Sequence, residues 1–294
     1  MKTMLVLSMG ALLLAGTLSA QTPVPEWQAG VDKMKSLIQT NPAQASEEVG
    51  ELLKGKNKKN VDLVTSVAHV YLDAGKLTEA QEYLAMAKKA NNKDPKVSVL
   101  EGDIALAQKN IGQACQLYEQ AIYFDPNCKE AYLKYAQAYK SASPALAIEK
   151  LEQLKAVDPN CLEADRELAE VYYSSNRFGK AAEMYAKFID TPLATEDDML
   201  KYAFALFLNH DFEKSLQVAQ KGLQKNARHA AFNRLVMYNN TDLKRYEDAE
   251  KAAHAFFNAS DRADYSYLDY RYYGALLSAL KKYDEAIIEY GKAL

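Results

Sequence analysis

Histidine, cysteine and tryptophan are scarce: the 294 residues contain four, three and one of them. His69, His210, His229 and His254 stand far apart, with no pair at the one-turn spacing through which a helix holds a metal, so no metal site is expected. Cys115, Cys128 and Cys161 are too few for a disulfide framework, and their odd count leaves at least one thiol unpaired. Cys-x-x-Cys pairs, glycine-rich phosphate loops, nucleophile elbows and calcium loops are all missing, so nothing argues for a cofactor or for catalysis. An excess of positive charge is also lacking, with 36 Lys and Arg against 39 Asp and Glu. A net charge of -3 gives no basic field to draw phosphates, and nucleic acid is not an expected partner.

Long apolar runs are confined to the start of the chain. Lys2 precedes an uncharged run from Met4 to Leu18, followed by Ser19-Ala20 and the polar "QTPVPEW". This is the pattern of a secretory signal peptide over residues 1–20, cleaved after Ala20. No cysteine follows it to take a lipid anchor, and no later stretch is apolar enough to cross a bilayer. The expected location is periplasmic or secreted. The chain as a whole is 49% hydrophobic and 26% charged, enough to bury a large core.

That remainder repeats itself. Ala80, Ala114, Ala147, Ala181, Ser215, Ala249 and Ala286 are separated by 34, 33, 34, 34, 34 and 37 residues. A second series, Ala68, Gly102, Ala136, Ala169 and Ala203, runs twelve residues ahead of the first in most units. Each unit has an apolar stretch of helical period, a short polar break and a second such stretch, often closed by Pro-Asn. In "NCLEADRELAEVYYSSNRFGKAAEMYAKFID" the first stretch carries Leu168, Ala169 and Tyr172, and the second Ala181, Tyr185 and Phe188. Small residues mark where two helices approach closely, and large rings fill the space beside them.

This pattern resembles the tetratricopeptide repeat (TPR), a 34-residue helix-turn-helix with small and aromatic residues at fixed places and a closing proline. "LYEQAIYFDPN" (117–127) and "YDEAIIEYGKAL" (283–294) are close matches, and the resemblance spans roughly residues 26–294. It implies an all-α, right-handed α-solenoid of stacked helical hairpins. A degenerate first repeat falls within the N-terminal segment 21–60, and an array of about seven repeats occupies 61–294. The fourth unit is one residue short near Ser143-Pro144, the seventh is expanded at "FFNASDRADYSY", and the last ends without the usual Asp-Pro-Asn, which leaves self-association through that hairpin open.

The resemblance also implies a concave groove lined by the first helices, which in such proteins takes a peptide. Carried onto this chain, the groove positions are Arg166, Glu170 and Tyr173; Leu200, Phe204, Phe207 and Leu208; Arg234 and Tyr238; and Arg271. Phe204, Phe207 and Leu208 are apolar where water is expected. They form either an apolar floor with arginine walls, suited to a peptide with hydrophobic anchors and a carboxylate, or packing buried by neighbouring first helices.

Five tyrosines crowd "DYSYLDYRYYG" (264–274), and the repeat register sorts them. Tyr270 and Tyr273, with Tyr283 and Tyr290 across the hairpin, fall at core positions, whereas Tyr265, Tyr267 and Tyr272 line the junction with the preceding repeat or face solvent. Cys128 and Cys161 occupy equivalent points of adjacent units, too far apart for a bridge. The lysines of "KGKNKKN" belong to a solvated loop between hairpins. Function follows as an expectation: a non-catalytic scaffold binding a peptide or envelope protein. The alternative is a sensory or substrate-recruiting module of a longer membrane or catalytic protein.

Overall fold

A computed structural model describes residues 24–259 and 265–294; the expected signal peptide and part of the expanded stretch lie outside the described residues. Among the described residues there are sixteen α-helices and no strand, arranged as eight antiparallel hairpins. In chain order these are α1 (Gln28–Leu37) with α2 (Pro42–Leu52), α3 (Val61–Asp73) with α4 (Leu77–Asn91), α5 (Pro95–Ala107) with α6 (Ile111–Phe124), and α7 (Lys129–Tyr139) with α8 (Pro144–Val157). Then come α9 (Leu162–Ser174) with α10 (Phe178–Phe188), α11 (Glu196–Leu208) with α12 (Phe212–Lys225), α13 (Ala230–Asp242) with α14 (Tyr246–His254), and α15 (Tyr267–Ala279) with α16 (Tyr283–Lys292). The segment read as a degenerate repeat thus forms a hairpin, and Met34, Ala45 and Val49 join its core to Leu63 and Val67 of the next.

Local chemistry starts and stops these helices. Asn41, Asn60, Asp94, Asn110, Thr195 and Asp211 cap helix starts by accepting first-turn amides, and Pro42, Pro95 and Pro144 stand where a missing N–H costs nothing. The Asp-Pro-Asn phrases are tight turns in which Asp125 and Asp158 accept the Asn127 and Asn160 amides. Within hairpins the break reverses the chain through one residue at positive φ: Gly75, Lys109, Asn176, His210, Lys244 and Lys281. Gly55–Lys59 is a short 3₁₀ turn without buried residues, as a solvated lysine loop requires.

Both small-residue series are buried, from Ala68 and Ala80 to Ala203 and Ser215. Gly102 shows why: a Cβ there would meet the Tyr118 ring at 2.5 Å, so the ring lies across the bare backbone. Ser215 replaces alanine in its unit and uses its hydroxyl, donating to the Ala203 carbonyl and accepting from Asn239 of α13.

Successive first helices touch one another, as in α3 with α5, α11 with α13 and α13 with α15, whereas successive second helices make at most marginal contact. Elements in contact on one side and splayed on the other curl the stack, with first helices inside. The fold is the expected all-α solenoid, and its inner face is where a groove lies.

The tyrosine assignments need one correction. Tyr283 and Tyr290 are exposed, not core, and Tyr270 and Tyr273 are half-buried. Tyr290 does cover Gly274 within the hairpin, but no helix among the described residues packs over the outer side of α16. The place of Tyr290 is buried where a hairpin follows, as at Tyr118, Leu151 and Tyr185, whereas the place of Tyr283 is half-buried or exposed in the other units too, as at Leu77, Ile111 and Phe212. Tyr265 packs in the junction, donating to the Phe257 carbonyl and meeting Phe256 edge-on; Tyr267 faces solvent; Tyr272 belongs to the groove.

Candidate peptide-binding groove

The inner face divides into two chemically different parts. From α3 to α9 it is polar and already paired. Lys96 donates to Asp62 at 2.5 Å, Lys129 to Glu163 at 2.6 Å and Gln137 to Glu167 at 2.7 Å, each joining one first helix to the next. Asp103 is the most heavily used acid, meeting His69 Nε2 at 2.9 Å, Lys134 Nζ at 3.0 Å and the Tyr118 hydroxyl at 2.8 Å. Burial pushes its carboxyl upward, but those three partners together outweigh it and hold Asp103 below the usual carboxylate range. His69 is half-buried and tied to this carboxylate.

From α11 to α15 the face is aromatic. Phe207 lies 5.6 Å from Tyr238 and 5.7 Å from Phe212, while Tyr238 and Tyr272 stack at 4.0 Å with planes only 22° apart. Leu200, Phe204 and Phe207 are half-buried against this core, and Leu208 is 44% exposed. The two readings of these rings therefore merge: neighbouring first helices cover one side of each ring, and the other side remains on the inner face. Tyr238 is itself buried and serves as the floor under Tyr272. Burial raises the hydroxyls of both tyrosines, with Asp269 and Asp242 adding to it, so each stays protonated and donates to its carboxylate.

The arginines do not form the open walls expected of them. Arg166 gives Nε and Nη2 to Asp198, each at 3.0 Å, and Arg234 gives Nε at 2.8 Å and Nη2 at 3.2 Å to Asp269. Both carboxylates are buried third residues of a helix that also accept from the residue before it: Asp198 from Thr195, and Asp269 from Ser266. Each pair pins one first helix to the start of the next, with bidentate geometry that a lysine could not supply. Glu170 is likewise engaged, accepting from Tyr185 and Lys201, and Tyr173 packs edge-on against Phe178. Arg271 alone of the expected arginines is exposed without an ion-pair partner among the described residues.

Arg271 borders a cleft of about 360 Å³ with Thr241, Asp242, Leu268, Tyr272, Ala275 and Tyr290. Sequence reasoning missed Asp242, Tyr272 and Leu268. The available signal was the repeat register, which puts Tyr272 two residues before Gly274, on the side of α15 that faces α13. No group of three or more potential metal ligands occurs among the described residues, and no helix there is long and apolar enough to cross a membrane. All three cysteines are free thiols, Cys115 and Cys161 buried and Cys128 half-buried.

A family model described as "Tetratricopeptide repeat" matches residues 68–127 and 137–193. No curated protein sequence matches the chain. Among solved structures, PilF of Pseudomonas aeruginosa is similar over 76% of this chain and 99% of its own, at 15% identity and a TM-score of 0.55. PilW, a type IV pilus biogenesis factor, is similar over 68% of this chain and 92% of its own, at 17% identity and a TM-score of 0.53. At such identities the likeness is one of fold.

Proposed function

Because this chain is a tetratricopeptide-repeat protein, we propose that it is an exported, non-catalytic scaffold that holds an extended peptide, or a segment of an envelope protein, across α11, α13 and α15. The observation carrying this reading is the Phe207–Tyr238–Tyr272 aromatic cluster, half-open on an inner face that from α3 to α9 is polar and joined by pairs such as Lys96–Asp62 and Lys129–Glu163. An apolar patch of this kind, bordered by the exposed Leu208 and by Arg271, fits a peptide with one or two hydrophobic anchors and one carboxylate. Its mechanism is presentation. The paired arginines Arg166 and Arg234 keep the first helices in register, so the patch is pre-organised and little ordering is left to binding.

The envelope setting rests on residues 1–20, whose pattern is that of a signal peptide. The likeness to PilW, a pilus biogenesis factor, is compatible with that setting but concerns fold.

The test is selection of binders from a random peptide library, followed by anisotropy measurements on the protein, Leu208→Asp and Arg271→Glu. Both side chains are exposed, so neither change should unfold the chain. Leu208→Asp is expected to weaken binding at least about tenfold, and Arg271→Glu to weaken peptides with a free carboxylate selectively. Unchanged affinities in both variants would reject the groove.

A further inference from the structure

On the outer face, where the second helices splay, one groove is far larger than its neighbour. Between α12 and α14, with α13 as its floor, lies a cleft of about 560 Å³, whereas the corresponding groove between α10 and α12 holds about 260 Å³. The repeat register locates the difference. Tyr71, Tyr139, Tyr172 and Leu206 stand three residues after the small position of their first helices, and Leu277 three after Gly274; α5 has Ala105 there, and α13 has Asn240. The turn after Asn240 is otherwise that of the α9–α10 hairpin. Arg177 donates its amide to the Tyr172 carbonyl at 2.8 Å, Arg245 donates to the Asn240 carbonyl at 2.8 Å, and Asn176 and Lys244 both have φ of 58°. In the α9–α10 hairpin the Arg177 guanidinium lies over the Tyr172 ring, 4.9 Å from its centroid. In the α13–α14 hairpin Arg245 lines the cleft, and α13 supplies no ring beneath it.

The chemistry of the cleft narrows what fits it. Leu216, Val236 and Ala252 give it apolar walls, so the body of an occupant is apolar. Its cations are met by acids, Arg245 by Glu213 at 2.6 Å and Lys251 by Asp248 at 3.1 Å, which leaves no net charge to hold a phosphate or carboxylate. A sugar finds no aromatic platform among the lining residues. One polar group is set in the floor. Asn240 is 3% exposed; its Nδ2 donates to the Val236 carbonyl at 3.0 Å, and its Oδ1 accepts from no donor among the described residues. The other buried asparagine, Asn233, has its Nδ2 committed to the Ala227 and His229 carbonyls. A buried acceptor of this kind favours a ligand that brings an O–H or N–H to it. We propose that the cleft binds a phenol ring, the side chain of a tyrosine in a partner polypeptide, whose hydroxyl donates to Asn240 Oδ1 and whose face lies against Arg245. A guanidinium bonded to a carboxylate through its edge keeps its faces for such a ring. The cleft is larger than one ring, and the remainder takes the chain on either side of the tyrosine. This site lies on the opposite face from the peptide groove and does not depend on that reading.

The test is an amide chemical-shift titration of the protein with the capped tripeptides Gly-Tyr-Gly and Gly-Phe-Gly and with p-cresol, each to about 10 mM. The tyrosine peptide is expected to shift amides of α12 to α14 and to bind at least about tenfold tighter than the phenylalanine peptide, which brings no donor to Asn240. It should also bind tighter than p-cresol, which has no flanking chain. Asn240→Leu gives α13 the side chain that α11 and α15 carry at this place, so it should keep the fold, raise the urea midpoint and weaken the tyrosine peptide at least about tenfold. Arg245→Gln, on the rim, should weaken that peptide by about three- to fivefold. No shift in α12 to α14 at the highest concentration overturns the proposal. So does an equal response to the phenylalanine peptide, or unchanged binding by a folded Asn240→Leu protein. p-Cresol bound as tightly as the tyrosine peptide would overturn the polypeptide source.

Discussion

Four of the hairpin turns put a lysine or histidine where the backbone favours glycine. Lys109, His210, Lys244 and Lys281 have φ between 58° and 63°, in the left-handed region, while Gly75 holds the same place without a Cβ to strain. Lys244→Gly is expected to stabilise the protein by about 1 kcal/mol, and Gly75→Ala to destabilise it by a similar amount, read from urea midpoints. Gly102→Ala belongs to a different physics, because its φ is ordinary and the obstacle is the Tyr118 ring. Overpacking there should cost about 1 to 3 kcal/mol, whereas Gly50→Ala, also within a helix but with nothing within 4 Å of the new Cβ, should stabilise by about 0.5 to 1 kcal/mol and serves as the control. Asp103 supplies a titration at the same scale. Its folded-state value lies below the ordinary one, so its contribution is present at neutral pH and is lost as pH falls through the folded value. Between about pH 5 and pH 2 the urea midpoint of Asp103→Asn should therefore fall less steeply than that of the unmodified protein. Parallel acid limbs would show that Asp103 contributes nothing.

At the scale of helices, the joints between successive first helices rest on buried carboxylates. Asp269 accepts from Ser266, Arg234 and Tyr238 at once, fastening α13 to the start of α15 and holding the Tyr238 ring under Tyr272. Asp269→Ala leaves Arg234 without its buried carboxylate and removes a helix-start acceptor, for an expected loss of about 3 to 5 kcal/mol in chemical denaturation. A loss below about 1 kcal/mol would mean that the joint is held by packing alone. The helices and their small-residue contacts were legible in the sequence, because a fixed repeat of Ala and Gly reflects a geometric demand that recurs in every unit. The carboxylate joints were not. Thr195-x-x-Asp198 and Ser266-x-x-Asp269 are readable as helix starts, but an arginine 32 or 35 residues earlier has many acids within reach, and only the curvature of the stack selects one. The same limit explains the groove: register gave Phe207 and Leu208, whereas the withdrawal of Arg166 and Arg234 into ion pairs follows from spacing between hairpins that no single repeat encodes.

Across the molecule, contact runs almost wholly between neighbouring hairpins, and stability is accordingly close to a sum of hairpin and interface contributions. The core around α8, α9 and α10 is covered on both sides, with Leu151, Leu154, Tyr185 and Phe188 fully buried, whereas Ala286 is the only buried residue of α16. Unfolding should therefore begin at the C-terminal hairpin, and α15–α16 amides should exchange with deuterium faster than those of α9–α10 under native conditions. Uniform exchange along the whole chain would show one cooperative unit and contradict the additive picture. A graded profile, slow through α9 and α10 and fast in α15 and α16, would fit that picture, because exchange then follows the apolar surface that each hairpin shares with its neighbours.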